Sequence, residues 1–290
     1  MEKQIVVCTF ANYPMSKGFD RYREEAEKMG LFAAIHTYCE KDLDKSFKEI
    51  WGRYLFPYSR GYGYWCWKPY IIKQTLDKLD EGDLLLYTDL GCFFNRGGLE
   101  RFSEYINIVE KSESGILGFR SQEIPYNDRG EILRYENEWT KGDIFDFFKV
   151  RNNRAITNST QFEATVILIR KCPASVGFVN EWLEIVLDHP ALLTDSPSKS
   201  CNLEGFVENR HDQSLFSILA KLHNIAHLST NEIVPCDADY NWSLVADCPI
   251  HARRDVYYKS PYHYKHRQKL KWLYNKVWQL KYLFRKNRFK

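Results

Sequence analysis

The segment EGDLLLYTDLGCFFN, residues 81–95, constrains the fold of this chain more than any other. Leu84–Thr88 is a short run without polar alternation, which is typical of a strand buried on both faces of a parallel sheet. Just upstream, KPYIIKQTLDKL has Pro69 in a first-turn position and apolar residues at helical spacing. A helix that leads into a doubly buried strand predicts an α/β unit, and Asp89 ends that strand with a single carboxylate.

The same alternation of strands and helices extends along the chain. Ile5–Phe10 predicts a first strand, and FDRYREEAEKMG predicts a helix that stops near Gly30 before a second strand running into Ile35. SGILGFR and FEATVILIR predict further strands, and SVGFVNEWLEIVLD and DQSLFSILAKL predict helices. The expected fold is therefore α/β, a mostly parallel Rossmann-type sheet flanked by helices. Residues 122–160 lack clear periodicity, which is typical of loops and short helices over a site.

Composition excludes several classes of protein. Mean hydropathy is −0.49, and no run of about 18 apolar residues predicts a transmembrane helix. The N-terminus lacks a signal-peptide cleavage pattern, and the eight cysteines are scattered without a CxxC pair. We therefore expect a cytoplasmic protein with buried free thiols, without disulfides or a structural zinc site.

Charge is distributed unevenly along the sequence. Residues 265–290 contain ten Lys and Arg and no Asp or Glu, whereas residues 1–264 contain 31 basic and 38 acidic residues, a net charge of −7. This contrast predicts a mildly acidic domain over residues 1–264 and a separate basic tail over residues 265–290.

The tail has the pattern of an amphipathic helix. Apolar residues recur at steps of three and four, and two tryptophans widen the apolar side: Leu270, Trp272, Leu273, Val277, Trp278, Leu280 and Phe284. A basic helix with interfacial tryptophans is typical of a peptide that lies on an anionic membrane. The alternative is a C-terminal helix packed on the domain with a solvated basic face. Nucleic-acid binding is a third possibility, but the acidic domain argues against it.

Several charged groups are expected at one edge of the sheet. Ligands of parallel α/β sheets bind beyond the carboxyl ends of the strands, where Asp89 lies. The helix before this strand runs antiparallel to it, so its N-terminus near Lys68 lies at the same edge, and Arg60 is close in sequence. A carboxylate facing phosphates needs a bridging Mg²⁺ or Mn²⁺, which suggests a nucleotide-diphosphate substrate. The alternative is that Asp89 only caps a turn before Gly91 and that Lys68 is a surface residue.

Two blocks carry a resemblance to a known family. RGYGYWCWKPYIIKQTLDKLDEGDLLLYTDLGC, residues 60–92, and ENRHDQSLFSIL, residues 208–219, resemble bacterial GT-A-type glycosyltransferases from capsule and lipopolysaccharide gene clusters. The intervening QFEATVILIRK is similar as well, and the match extends from Ile5 to about Leu222. The resemblance implies a GT-A-like fold and transfer of a sugar from a nucleotide sugar.

The metal-binding motif of that family is reduced here. A DxD-type motif is expected at the strand end, but Asp89 is its one acid in this sequence. A Mn²⁺ or Mg²⁺ ion would need a second ligand from elsewhere, and some GT-A enzymes use a late histidine. The candidates are His251, His263 and His266, although a surface or core histidine is the commoner case for each.

Three residues are candidates for contact with the reacting sugar. Asp212 begins the predicted helix DQSLFSILAKL, where an N-cap role is the alternative, and Gln213 could bond the sugar. The block is similar to the Asp-Gln-Asp of certain retaining galactosyl- and glucosyltransferases, which favours retention over inversion. Glu163 is a competing carboxylate, unless it faces solvent from a strand edge.

The loop after the first strand is expected to contact the nucleotide base. Thr9 and Asn12 could bond the edge of the base, and Tyr13 could stack on it or be an ordinary surface aromatic. Trp65 and Trp67 are expected in the core or in the wall of the site.

The sequence therefore favours a glycosyltransferase, peripheral to the inner face of the cytoplasmic membrane, with a glycan or lipid-linked glycan acceptor. Two alternatives remain open. One is a noncatalytic nucleotide-sugar-binding or scaffold protein on a degenerate GT-A fold. The other is a transferase of a different group from a nucleotide-activated donor, which would normally use two or more acids around its metals.

Overall fold

The computed structural model describes residues 3–13, 15–56, 59–121, 134–235 and 241–253. The chain divides into two compact units, residues 1–254 and 255–290, and all described residues belong to the first. The predicted boundary at 264/265 and the basic tail lie outside the described residues and stay predictions. No helix in the described ranges is long and apolar enough to cross a membrane.

The described ranges contain the five predicted strands and three further short strands that were not predicted. They are β1 (Ile5–Phe10), β2 (Ala34–Tyr38), β3 (Leu84–Thr88), β4 (Phe93–Phe94), β5 (Ile116–Arg120), β6 (Phe162–Arg170), β7 (Ala226–Ser229) and β8 (Ile250–His251). Every residue of β3 is buried, as its unbroken apolar pattern predicts.

The central sheet is mostly parallel, with one reversed strand. Its order is β2-β1-β3-β6-β5-β7, and β1 pairs in parallel with both β2 and β3. β6 is antiparallel to its neighbours β3 and β5, whereas β5 and β7 are parallel to each other. β4 and β8 form a small separate antiparallel ladder. The predicted α/β class with a mostly parallel sheet is confirmed.

Helices connect and cover the strands. They are α1 (Phe19–Met29), α2 (Lys45–Trp51), the single turn α3 (Gly61–Tyr64), α4 (Trp67–Leu76), α5 (Leu99–Lys111), α6 (Glu136–Trp139), α7 (Gly142–Phe147), α8 (Arg154–Thr157), α9 (Pro173–Asp188) and α10 (Asp212–Leu222). Short 3-10 turns occupy Met15–Gly18, Gly52–Tyr54, Arg96–Gly98, Pro190–Leu192, Thr230–Glu232 and Trp242–Val245.

The core lies on both faces of the central sheet. Alternate residues of β1 and β3, such as Cys8 and Tyr87, belong to a buried cluster with side chains of α4, α9 and α10. On the opposite face α1 contributes the fully buried Tyr22, whose hydroxyl bonds Thr88 Oγ1 at 2.7 Å. The seven cysteines within the described ranges are free thiols, and five of them are buried.

Candidate active site

The candidate active site lies where β1 and β3 end and β6 begins. The carboxyl ends of the parallel strands β1 and β3 are adjacent, and the antiparallel β6 starts beside them. The backbone N–H of Asp89 donates to the carbonyl of Thr165 at 2.9 Å, which continues the β3–β6 ladder past Thr88. The carboxylate that follows β3 is thereby held at the sheet edge, where ligands of parallel α/β sheets bind.

A buried ammonium joins three elements at this edge. Lys68, in the first turn of α4, is 2% exposed, and its Nζ donates to Asp212 Oδ2 at 2.6 Å. It also donates to the carbonyl of Ala164 on β6 at 2.8 Å and lies 3.5 Å from Asp89 Oδ1. Lys68, Asp89 and Asp212 are called the Lys68 cluster below. Lys68 and Asp89, which the sequence predicts at one edge, are thus brought together, and Asp212, predicted separately as a contact of the sugar, joins them.

The two carboxylates of the Lys68 cluster differ in environment. Asp212 is 4% exposed and begins α10, whereas the Asp89 side chain is 30% exposed. The Tyr87 hydroxyl donates to Asp89 Oδ1 at 2.6 Å and orients it. Asp89 is therefore more accessible to a ligand than Asp212 is.

Burial and charge set the protonation of the Lys68 cluster. Burial raises the pKa of Asp212 to about 6, against the opposing attraction of Lys68, and the nearby Asp89 raises it further. Burial alone would lower the pKa of Lys68, but Asp212 and Asp89 outweigh it and raise that pKa. With one lysine and two aspartates, the cluster has a formal net charge of −1.

Arg60 faces carboxylates rather than an open site. Its guanidinium lies 2.7 Å from Glu208 Oε1 and 3.5 Å from Asp195 Oδ1. Both cations predicted to hold a diphosphate are thus paired with acids in this structure, and their contact with a donor stays a prediction. Glu208 belongs to the same sequence block as Asp212, so ion pairs join the two resembling blocks twice.

The start of α10 includes a strained residue that sequence reasoning missed. His211 is 1% exposed and has φ 60° and ψ −119°. Its Nδ1 lies 2.6 Å from the carbonyl of Leu193, while Nε2 is buried and has no hydrogen-bond partner among the described residues. Burial, with a smaller contribution from Arg60, lowers the pKa of His211 to about 4, so the ring is neutral at pH 7. A strained residue beside a charged group is a signature of functional sites, but nothing in the letters ENRHDQS indicates it.

A left-handed turn precedes α4. Five successive residues have φ between 47° and 87°: Gly61, Tyr62, Gly63, Tyr64 and Trp65. Hydrogen bonds from Tyr64 N to Arg60 O and from Trp65 N to Gly61 O close it. The rings of Tyr64 and Trp65 lie 4.9 and 5.9 Å from that of His211, so the two strained segments support each other. Trp67 is 5% exposed and stacks on Phe10, a core position as predicted.

Gln213 and Glu163 lie in different surroundings. Gln213 is 7% exposed, and its Nε2 donates to Gln161 Oε1 at 3.0 Å. Glu163 is 8% exposed and pairs with Arg134 at 2.6 Å, so it does not face solvent from a strand edge. Within the described part of the chain, no hydrogen bond or ion pair joins Glu163 to the Lys68 cluster.

The three candidate base contacts differ in exposure, and Thr9 lies in β1 itself rather than in the loop after it. Thr9 is fully buried, and its hydroxyl lacks a hydrogen-bond partner among the described residues, so a base reaches it only if neighbouring side chains move. Asn12 Nδ2 donates to the carbonyl of Tyr13 at 2.8 Å. The Tyr13 ring is 57% exposed and has Lys17 Nζ 5.4 Å from its centroid. Tyr13 is thus the one of the three that is placed to stack on a base.

A metal site is not complete within the described residues. No group of three His, Cys, Asp or Glu side chains in residues 3–13, 15–56, 59–121, 134–235 and 241–253 could hold an ion. Asp212 is occupied by Lys68, and His251 is engaged through Nε2 with the carbonyl of Val245 at 2.8 Å. His263 and His266 lie outside the described residues. Asp89 thus remains the one described carboxylate of the expected motif.

Residues 134–160 form short helices, as their weak periodicity predicts. Helices α6, α7 and α8 occupy this range, and a groove of about 730 Å³ opens beside them. It is lined by Asn137, Arg151, Asn152, Arg154, Thr157, Asn158, Leu203, Glu204 and Gly205. The carbonyl of Trp139, which ends α6, accepts hydrogen bonds from Ser214 of α10 and from Gln161. The short helices therefore support the start of α10.

Comparisons with known proteins give weak similarities. No protein-family model and no curated protein matches the sequence. A glycosyltransferase involved in the glycosylation of the major capsid of PBCV-1 is 10% identical, over 86% of this chain and 93% of that chain, with a TM-score of 0.44. Mouse xyloside xylosyltransferase 1 is 11% identical, over 86% and 97% of the two chains, with a TM-score of 0.40.

A mannose-6-phosphate isomerase from Helicobacter pylori is 12% identical, over 67% of this chain and 82% of that chain, with a TM-score of 0.33. At these identities and TM-scores the matches do not assign the chain to a family or to an activity. Any functional conclusion therefore rests on the geometry of the Lys68 cluster and on the two sequence blocks that meet there.

Proposed function

We propose that this protein is a glycosyltransferase that moves a sugar from a nucleotide-diphosphate sugar to a surface-glycan acceptor. The observation that carries the proposal is the contact between Lys68 and Asp212 at 2.6 Å. These residues come from the two separate blocks that resemble GT-A-type glycosyltransferases, 144 positions apart in the chain. Two blocks that are separate in sequence, and that each resemble this family, therefore meet at one sheet edge.

The charge of the Lys68 cluster suits glycosyl transfer. The transition state of this reaction has oxocarbenium character, so positive charge develops on the sugar. A site with a net charge of −1 and a low-dielectric wall stabilises that charge more strongly than water does. Asp212 and Gln213 are the proposed contacts of the reacting sugar, and retention of configuration is the proposed outcome. Glu163 remains the second candidate carboxylate.

The leaving diphosphate needs positive charge from another source. The ammonium of Lys68 is already neutralised by two carboxylates, and Arg60 faces two more. A Mn²⁺ or Mg²⁺ ion on Asp89 would supply the missing charge, with His263 or His266 as a further ligand. This metal assistance is a prediction, because the described residues do not complete a site.

The proposed base contacts are those of the loop after β1. The exposed ring of Tyr13 is the proposed stacking surface, with Asn12 beside it. The acceptor class, capsule or lipopolysaccharide, and a location at the inner face of the cytoplasmic membrane follow from the family resemblance and the basic tail.

The test is donor binding and slow donor hydrolysis over a panel of nucleotide sugars, each with Mn²⁺, Mg²⁺ or EDTA. One donor hydrolysed only with metal supports both the transferase and the metal, whereas binding without hydrolysis favours a noncatalytic nucleotide-sugar-binding protein. One donor used equally in EDTA supports the transferase without the metal. No binding or hydrolysis of any donor by the full chain contradicts the proposal and favours a scaffold.

Matched variants locate the chemistry. We expect Asp212→Asn to lose turnover while it keeps donor affinity, because the side chain keeps its shape and loses its charge. Glu163→Gln, outside the Lys68 cluster, is the control and should keep most of its activity. Loss in Glu163→Gln together with full activity in Asp212→Asn would transfer the role to Glu163.

A further inference from the structure

A buried polar network extends from the start of α10 into the protein. Glu136 is fully buried, and its carboxylate accepts hydrogen bonds from Ser217 and Lys221 on one oxygen. Its other oxygen accepts from Thr140 Oγ1 at 2.6 Å and from Gln161 Nε2 at 3.1 Å. An ionised carboxylate is acceptor-only, so every partner of Glu136 in the network must present a donor to it.

That requirement sets the orientation of the Gln161 carboxamide. Its nitrogen faces Glu136 Oε2 and the carbonyl of Trp139, at 3.1 and 3.2 Å, and neither group can donate. A reversed Gln161 would place its own oxygen against these two acceptors, at the cost of buried unpaired polar groups. Gln161 is 1% exposed, so water does not replace those bonds. Its oxygen therefore points away from Glu136.

The orientation of the Gln161 carboxamide determines that of Gln213. The Gln161 oxygen accepts from Gln213 Nε2 at 3.0 Å, so the nitrogen of Gln213 is directed into the protein. Its oxygen, Oε1, has no hydrogen-bond partner within the described ranges. Gln213 follows Asp212, a member of the Lys68 cluster, in the first turn of α10 and is 93% buried. The network therefore leaves this oxygen as a hydrogen-bond acceptor.

We propose that Glu136, acting through Gln161, is a positioning residue that fixes Gln213 with its carbonyl oxygen toward the bound sugar. The site then recognises a hydrogen-bond-donating group, a hydroxyl of the transferred sugar, at that point. This inference rests on the proposed function for the identity of the ligand, whereas the orientation of Gln213 can be tested without any ligand.

The first test is hydrogen exchange of the Gln213 side-chain carboxamide by NMR on the full chain with ¹⁵N-labelled glutamine. The signal is assigned as the one missing in Gln213→Glu. In the unmodified protein we expect the bonded proton to exchange at least about tenfold more slowly than in free glutamine. Exchange at the free rate would overturn the proposal, and apart from the assignment this arm uses only the unmodified protein.

Two variants test the hydrogen-bond relay from Glu136 through Gln161 to Gln213. Gln161→Met keeps the length of the side chain and removes both of its hydrogen-bonding ends, so exchange at Gln213 should accelerate about tenfold. Glu136→Gln combined with Lys221→Met removes the anchoring charge without leaving a buried ion unpaired, and should accelerate exchange less because Trp139 remains. Unchanged exchange in Gln161→Met contradicts the relay, and unchanged exchange in the double variant contradicts the role of Glu136.

The second arm uses the donor found in the panel and its monodeoxy analogues. The unmodified protein should lose about tenfold in kcat/KM for one deoxy position, and Gln161→Met should lose that discrimination. Ser175→Ala removes buried hydrogen bonds at the opposite end of β6 and controls for a general loss of stability. This variant should keep the discrimination against the deoxy analogue. Equal discrimination in Gln161→Met would overturn the proposal. If no donor binds the unmodified protein, the proposed function fails, while the exchange result still decides the orientation of Gln213.

Discussion

Lys68 is the residue on which the candidate site depends. It is the one cation in contact with both Asp89 and Asp212 among the described residues, and it is almost fully buried. A buried ion pair adds little net stability over an apolar pair, because desolvation offsets the attraction. Removing one partner is different, since the remaining charge stays buried without compensation.

Lys68→Met should therefore lower the free energy of unfolding by about 3–5 kcal/mol at pH 7. Urea unfolding measures this change in the free energy of unfolding. Lys73→Met is the control, because Lys73 pairs with Asp77 on the exposed side of the same helix. That surface pair should contribute at most about 1 kcal/mol. Equal small losses in both variants would mean that water reaches the Lys68 cluster.

The raised pKa of Asp212 predicts two pH effects of known sign. Its pKa is about 6 in the folded protein, compared with the ordinary value of 3.8 for an aspartate. The folded state therefore binds this proton more tightly than the unfolded state does. The free energy of unfolding contributed by this group should fall by about 3 kcal/mol as pH rises from about 4 to 6. Donor hydrolysis should rise through the same region if the ionised form is active.

Asp212→Asn should abolish both effects. Unfolding by urea at pH 4 and at pH 7, compared between this variant and the unmodified protein, isolates the contribution of Asp212 to stability. Identical pH dependence in the two proteins would show that Asp212 is already ionised at pH 4.

At the scale of elements, the left-handed turn α3 sets the entry into α4 and so the position of Lys68. A Cβ at Gly61 would lie 2.3 Å from Cδ2 of the Trp65 ring. Gly30, at the end of α1, has a similar φ of 68° but nothing within 4 Å of its Cβ position. A side chain at either position would thus occupy the same unfavourable left-handed backbone conformation. The two positions differ only in the steric contacts of the added Cβ.

Gly61→Ala should destabilise the protein by at least about 2 kcal/mol more than Gly30→Ala. Gly30→Ala should cost about 1 kcal/mol, the left-handed penalty alone. Thermal unfolding of both variants measures the difference. Equal losses would indicate that Trp65 moves aside without consequence.

The same elements show what local pattern can and cannot predict. β1, β3 and β6 match their predicted segments because runs rich in apolar and β-branched residues identify buried strands. The reversed direction of β6 was not predictable, since side-chain periodicity is the same in both directions. The left-handed turn was also missed, because tyrosine and tryptophan adopt positive φ only where tertiary packing imposes it.

Which residues meet at the sheet edge was predictable where a rule of topology applied. The convergence of Asp89 and Lys68 follows from strand and helix direction alone. The relay from Glu136 through Gln161 to Gln213 has no local signature, because its members contact each other across 25 and 52 positions of sequence. Such long-range hydrogen bonds are visible only once the fold is known.

At the scale of the whole molecule, charge separation along the sequence predicts how the chain meets a membrane. Residues 1–264 have a net charge of −7, and residues 265–290 carry ten basic residues. An anionic surface attracts a polybasic segment by about 1 kcal/mol per residue near the surface, while the acidic part is repelled. The basic tail should therefore make the contact.

The full chain should cosediment with vesicles that contain anionic lipid and not with purely zwitterionic vesicles, and salt should weaken the binding. Replacing the ten Lys and Arg of residues 265–290 by Gln tests the source of the attraction and leaves the tryptophans in place. Release of that variant from the vesicles assigns the attraction to charge. Retained binding would assign it to the apolar side of the tail, because hydrophobic insertion is insensitive to these substitutions. Binding by neither protein would favour a tail that packs on the domain with a solvated basic face.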